Sequence, residues 1–238
     1  MGPARGPSGQ PSILGAMIPL RDVIPTRTWP VVTVGLIMLN VLVFVHEQTL
    51  GRQALEGFVQ AWGLVPAEFA WDRVVTSMFL HGGWAHIGGN MLYLWIFGDN
   101  VEDRLGHVRY LIFYLLCGAF AACAQTYING ASLIPMIGAS GAISGVLGAY
   151  IVLFPHSRVL TIVPIVFFIQ LLEVPAIVLL GLWFLMQLLS GVGSLGARAD
   201  VGGVAFWAHV AGFVAGVGFV YVFKQPERQK VEWWDGVR

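Results

Sequence analysis

Four polar side chains stand out against an apolar background: His86, Asn90, Ser140 and His209. His86 and Asn90 lie at i and i+4 in HGGWAHIGGN, so a helix would put both on one face, a turn apart. Ser140 belongs to IGASGAISGVLGAY, where four glycines and two serines occupy what should be the start of an apolar helix. His209 follows in FWAHVAGFVAG. A serine hydroxyl is a weak nucleophile until a base takes its proton, and neutral histidine is the usual base near pH 7. Attack of Ser140 on a carbonyl, with His209 as base, would create an oxyanion that needs fixed donors. The Ser140 N–H at a helix N-terminus, the Asn90 amide and a His86 ring N–H would supply three. Each residue also has a plainer reading. Ser140 could be a helix cap or a back-bonded hydroxyl. His209 could pair with a backbone carbonyl, and His86 with Asn90 could be inter-helix glue. Ser144, one turn deeper, reads as packing, and His81 as a residue closing the hydrogen-bond network of a loop.

These groups need helices to carry them, and the composition says what kind. The chain is 57% hydrophobic and 11% charged, where soluble proteins carry roughly a quarter charged residues. The class is all-α: a polytopic transmembrane helical bundle. The formal net charge of zero gives no footing for a nucleic-acid or acidic partner. Cys117 and Cys123, six apart in one apolar run, face different ways on a helix and cannot bridge.

A span takes about 20 mostly apolar residues. Six runs qualify: Pro30 to His46, His86 to Val101, Tyr110 to Thr126, Gly138 to Phe154, Pro175 to Leu189 and Ala205 to Phe223. Val159 to Leu172, interrupted by Pro164, reads as part of the connection into the fifth span. With the N-terminus inside, inner segments hold Arg5, Arg21, Arg27, Arg104, Arg109, Arg158, Lys224, Arg228, Lys230 and Arg238, and outer ones only Arg52, Arg73 and Arg198. That bias puts both termini in the cytoplasm. Residues 1–29 form an N-terminal tail, disordered at its Gly-, Pro- and Ser-rich start. Residues 30–223 form the membrane domain and 224–238 a C-terminal tail. No signal peptide is expected, because the first apolar run starts too late. The outer loop from Glu47 to Ser77, with Trp62, Phe69 and Trp71, reads as a structured element at the interface.

In this topology the second, fourth and sixth spans all begin at the outer surface. At 1.5 Å per residue, His86, Asn90, Ser140 and His209 fall within roughly 10 Å of it. Gly141, Gly145 and Ala149 make a small-residue ridge down the fourth span, and Ala208, Gly212 and Gly216 a matching one down the sixth. Such ridges let helices approach closely in lipid and would bring Ser140 to His209. Gly148 reads as lying off the main ridge.

With these residues in place, the sequence resembles the rhomboid family of intramembrane serine proteases. Gly138-Ala139-Ser140-Gly141 is similar to its GxSG, and Ala208-His209 with Gly212 and Gly216 to its AHxxGxxxG. His86-x-x-x-Asn90 resembles its HxxxN, and His81 the histidine five residues earlier. The resemblance implies a Ser140–His209 dyad and an oxyanion hole from His86, Asn90 and Ser140. His81, Gly138, Gly141, Gly212 and Arg73 would support the site. The family's loop Trp-Arg appears stretched by one residue, as Trp71-Asp72-Arg73. Some members place a tyrosine against the base where Ser144 stands, so ring stacking is not expected to orient His209. The implied protein is the six-helix core form usual in bacteria, in the cell membrane with its site opening outward. It would cut single-span transmembrane proteins, with no metal or cofactor needed. Two rivals are a catalytically inactive relative that binds membrane proteins and a b-type haem protein with His86 and His209 as axial ligands.

Overall fold

A computed structural model describes residues 17–165, 168–195 and 204–226. The expected disordered start at residues 1–16 lies outside the described residues, as do Arg198, Arg228, Lys230 and Arg238. Eight α-helices and three strands are described: β1 (Ile18–Asp22), α1 (Val31–Thr49), α2 (Arg52–Trp62), α3 (Trp71–Thr76), α4 (Trp84–Leu105), α5 (His107–Ile128), α6 (Ser140–Leu153), β2 (Arg158–Ile165), β3 (Phe168–Pro175), α7 (Ala176–Ser194) and α8 (Phe206–Phe223).

Each of the six apolar runs becomes a helix. Four of these, α1, α5, α7 and α8, are long and apolar enough to cross a membrane. The apolar α6 has only 14 residues. The 22-residue α4 ends in Asp99, Glu102, Asp103 and Arg104. Its carboxylates hold the segment that leads into α1. Glu102 accepts from the N–H groups of Val32 and Thr33 at 2.9 and 2.8 Å, an anion seated on the first turn of α1. Asp103 accepts from the N–H of Thr28 at 2.9 Å.

The all-α expectation is corrected to mostly helical. Val159 to Leu172 is a connection, as expected, but it is built as a β-hairpin. Strand β2 pairs antiparallel with β3, and β1 adds to the other edge of β2. The run is rich in β-branched residues, a composition that suits strands, and it is too short to span. The N-terminal segment is not merely a tail, since Ile18–Asp22 belongs to this sheet. Pro19 is tolerated there because β1 is an edge strand, with a register shift between Pro19 and Arg21.

The Glu47–Ser77 connection is structured as expected, with α2, α3 and two short 3₁₀ turns at Pro66–Glu68 and Ser77–Phe79. It also does something the sequence did not suggest. Leu64 and Met136 exchange backbone hydrogen bonds at 3.1 and 2.8 Å, and the N–H of Gly138 donates to Ser77 O at 2.8 Å. The segment leading into α6 is thereby pinned to the connection.

The core lies where α5, α6 and α8 pack on one another, with α4 against α6. Lipid offers no hydrophobic drive between helices, so close packing must hold them. A Cβ on Gly212 would collide with Gly141 O, and one on Gly216 with Gly145 O. The α8 ridge therefore lies on the α6 backbone, as the spacing predicts. The α6 side is different. A Cβ on Gly141 would meet Ala121 Cβ at 2.8 Å and one on Gly145 would meet Sγ of Cys117 at 2.5 Å, both on α5. A Cβ on Gly148 would strike Phe213 O on α8. Gly148 is therefore part of the close crossing, against expectation. Cys117 is buried in this seam, and neither it nor Cys123 forms a disulfide.

Candidate active site

Helix α6 begins at Ser140 with Ala139 as its N-cap, and no side chain caps it. Ser140 is therefore not a cap. Gly138, just before, has φ of +120°, a conformation that side-chain-bearing residues rarely adopt. Its bare α-carbon is also required by its neighbours, since a Cβ there would sit 2.7 Å from His86 Nε2. The first N–H groups of a helix have no partner within it, which leaves the Ser140 N–H free of an intrahelical bond.

The Ser140 hydroxyl and His209 Nε2 are 2.8 Å apart. The other ring nitrogen, Nδ1, is 2.8 Å from Gln187 Oε1 on α7. An amide oxygen only accepts, so Nδ1 carries the proton and Nε2 is left to accept from Ser140 Oγ. Trp183, one turn earlier on α7, sets its ring beside the imidazole, with centroids 5.9 Å apart at 35°. His209 thus has a tilted aromatic neighbour from α7, although among the described residues no ring from α6 reaches it, as expected with Ser144 at that position. Ser144 makes the back-bond instead, donating from Oγ to Ser140 O at 2.6 Å. On the far side of α8, Gln125 Oε1 of α5 accepts from the N–H of Ala208 at 3.0 Å.

His86 and Asn90 project from α4 toward the same place. The N–H of Gly82 donates to His86 Nδ1 at 3.2 Å, so in the neutral ring Nε2 carries the proton and is a donor facing Gly138. Asn90 is buried, and its Nδ2 has no hydrogen-bond partner among the described residues. Ser140, His209, His86, Asn90 and Trp183 all line one cavity of about 730 Å³. A hydroxyl bonded to an unprotonated imidazole nitrogen, beside unpaired donors, is an arrangement suited to attack on a carbonyl.

The supporting residues divide. Gly138, Gly141 and Gly212 sit at close approaches, as described. His81 packs its ring against His86, with centroids 5.0 Å apart, and burial holds it neutral, with a pKa lowered to about 4. Among the described residues neither ring nitrogen has a hydrogen-bond partner, so His81 closes no loop network there through its ring. Its backbone N–H instead reaches the Glu47 carboxylate at 3.3 Å. Arg73 stays within the connection on α3, 3.9 Å from Glu68 Oε2, and is not among the cavity's lining residues.

Gln125, Gln187 and Trp183 escaped the sequence reading. The two glutamines are uncharged, so a search for ionisable groups in apolar spans passes over them, although a lone amide in a span is itself a polar signal.

A family model described as Rhomboid domain matches residues 68–226, more than half of the chain and a stretch that contains all four polar residues. The chain belongs to the rhomboid family. It is 28% identical over 180 residues to Rhomboid protein 1, mitochondrial, of Saccharomyces cerevisiae, a match covering 73% of this chain and 49% of that protein. It is 34% identical over 125 residues to Rhomboid protease GluP of Bacillus subtilis, covering 52% and 24%. Rhomboid-type serine protease 2 of Emericella nidulans is 34% identical over 86 residues, covering 36% and 17%. The chain thus spans about half or less of the length of these relatives. Rhomboid membership and the apolar helices make it an integral membrane protein of an intramembrane protease family.

Proposed function

We propose that this rhomboid is an active intramembrane serine endopeptidase, with Ser140 as nucleophile and His209 as base. Oγ of Ser140 attacks the scissile carbonyl carbon while its proton passes to His209 Nε2. The oxyanion is met by the Ser140 N–H, His86 Nε2–H and Asn90 Nδ2–H. Collapse breaks the C–N bond, and the imidazolium returns the proton to the leaving amine. Water then attacks the acyl-serine ester, losing its proton to His209. Collapse breaks the ester C–O bond, the imidazolium returns that proton to Ser140 Oγ, and the second product leaves as a carboxylic acid. The proposal includes six crossings, α1 and α4 to α8, with both termini cytoplasmic and the cavity opening outward. It also takes single-span membrane proteins as the substrates.

The observation that carries this reading is the 2.8 Å contact between Ser140 Oγ and His209 Nε2 at a cavity with an unpaired Asn90 amide. A bis-histidine haem site would need the same Nε2 that already faces the hydroxyl. Cleavage of a single-span reporter in proteoliposomes tests the proposal. Ser140→Ala and His209→Ala should each abolish cleavage, and the double variant should be no worse, because the two act as one unit. Normal cleavage by either single variant would refute the assignment.

A further inference from the structure

We propose that Gln187 is a positioning residue of the reaction, holding His209 from α7 in the tautomer that leaves Nε2 free to take the Ser140 proton. This rests on the roles just given to Ser140 and His209.

A neutral imidazole carries one proton and can put it on either nitrogen. With the proton on Nε2, His209 could only donate toward Ser140 and could not act as base. Something must fix the choice, and what stands at Nδ1 is Gln187 Oε1, 2.8 Å away. A carbonyl oxygen has no proton to give, so this contact exists only with hydrogen on Nδ1. The same bond survives the catalytic cycle. When His209 takes the serine proton, both ring nitrogens become donors and Nδ1–H still points at Oε1. An amide does this without placing a second charge inside an apolar helix, where a carboxylate would be costly.

Position on the helix strengthens the case. Trp183 and Gln187 are four residues apart on α7, so they share a face. Trp183 sets its ring beside the imidazole at a 35° tilt, and Gln187 Oε1 stands at its Nδ1. Gln125 meanwhile ties the preceding residue, Ala208, from α5. The first turn of α8 is thus held by two glutamine oxygens from opposite neighbours, one on the backbone and one on the catalytic ring. Mere glue between α7 and α8 would not need its acceptor aimed at the nitrogen opposite Ser140.

The test uses the full chain in proteoliposomes with the single-span reporter, comparing wild type, Gln187→Met, Gln187→Glu and Ser140→Ala. Methionine keeps the length and removes the acceptor, whereas glutamate, ionised or protonated, keeps a carboxyl oxygen that can accept from Nδ1–H. Gln187→Met should lower kcat by ~10–10²-fold, the scale of misplacing a reacting group, with KM changed less than ~2-fold. Gln187→Glu should recover most of that kcat. Wild-type kcat in Gln187→Met, or no recovery in Gln187→Glu, would overturn the proposal. Should Gln187→Met fail to insert, ¹⁵N NMR of the wild-type histidines decides. His209 should show a protonated Nδ1 and a bare Nε2, and the opposite tautomer would overturn the proposal. Ser140→Ala separates the two levels. If it cleaves normally, the underlying reading has failed, but if it is inactive while Gln187→Met is normal, only the role of Gln187 has failed.

Discussion

Asn90 is the residue whose environment makes least sense in a resting protein. A buried donor without a partner costs stability, commonly about 1–3 kcal/mol, and among the described residues Nδ2 of Asn90 is such a donor. Its partner is supplied by the reaction, as the oxyanion. Two effects of opposite sign follow for Asn90→Ala. Turnover should fall by about 10²–10³-fold, or ~2.7–4 kcal/mol, the usual loss of one oxyanion donor. The melting temperature in detergent should hold or rise, because an unsatisfied group has gone. A fall in stability with normal turnover would make Asn90 inter-helix glue after all. The four residues of the site were legible in the sequence because histidine, serine and asparagine are conspicuous in apolar spans. Trp183 and Gln187 were not, since an aromatic in a span usually reads as packing and an amide carries no charge.

At the scale of elements, the glycines decide whether α6 and α8 can bring the site together. Their spacing was readable, but the direction of each missing side chain was not. Gly141 and Gly145 make room for α5, while Gly148, Gly212 and Gly216 allow backbone contact between α6 and α8. Gly148→Leu and Gly216→Leu should therefore be equally damaging, with overpacking of about 1–3 kcal/mol or more and a steep loss of cleavage. Gly35→Leu on α1, where a Cβ meets nothing within 4 Å, should be near neutral. Melting temperature beside reporter cleavage for all three checks this. A mild Gly148→Leu would restore the simpler ridge. Helices were legible from apolar runs, but the hairpin of Val159 to Leu172 was hidden, because a short apolar run fits a strand or a helix until its pairing partners are known.

For the whole molecule, α6 joins two ends with different tasks. Ser140 stands at its start, and Tyr150 near its end donates to Asp22 at 2.6 Å, where Asn100 of α4 also donates at 2.8 Å. Asp22 thus ties β1 to two helices. Burial, with Asp99 nearby, raises its pKa from the ordinary 3.8 to about 6, although the Tyr150 hydrogen bond opposes the shift. Because the folded value is the higher one, folding takes up a proton. The destabilisation from ionised Asp22 is absent below about 3.8, grows between 3.8 and 6, and is complete above about 6. Asp22→Asn removes it at every pH. Raising the pH from 4 to 7.5 should therefore lower the wild-type melting temperature relative to the variant, and parallel curves would contradict this. This clamp was not legible, because its members lie far apart in sequence. The central claim, that this end-to-end scaffold makes Ser140 a nucleophile, is tested most directly by a fluorophosphonate probe on the full chain in detergent, with the labelled peptide mapped by mass spectrometry. The adduct should fall on Ser140, vanish in Ser140→Ala and His209→Ala, and persist at a reduced rate in Asn90→Ala. An adduct on Ser144, or equal labelling in Ser140→Ala, would contradict it.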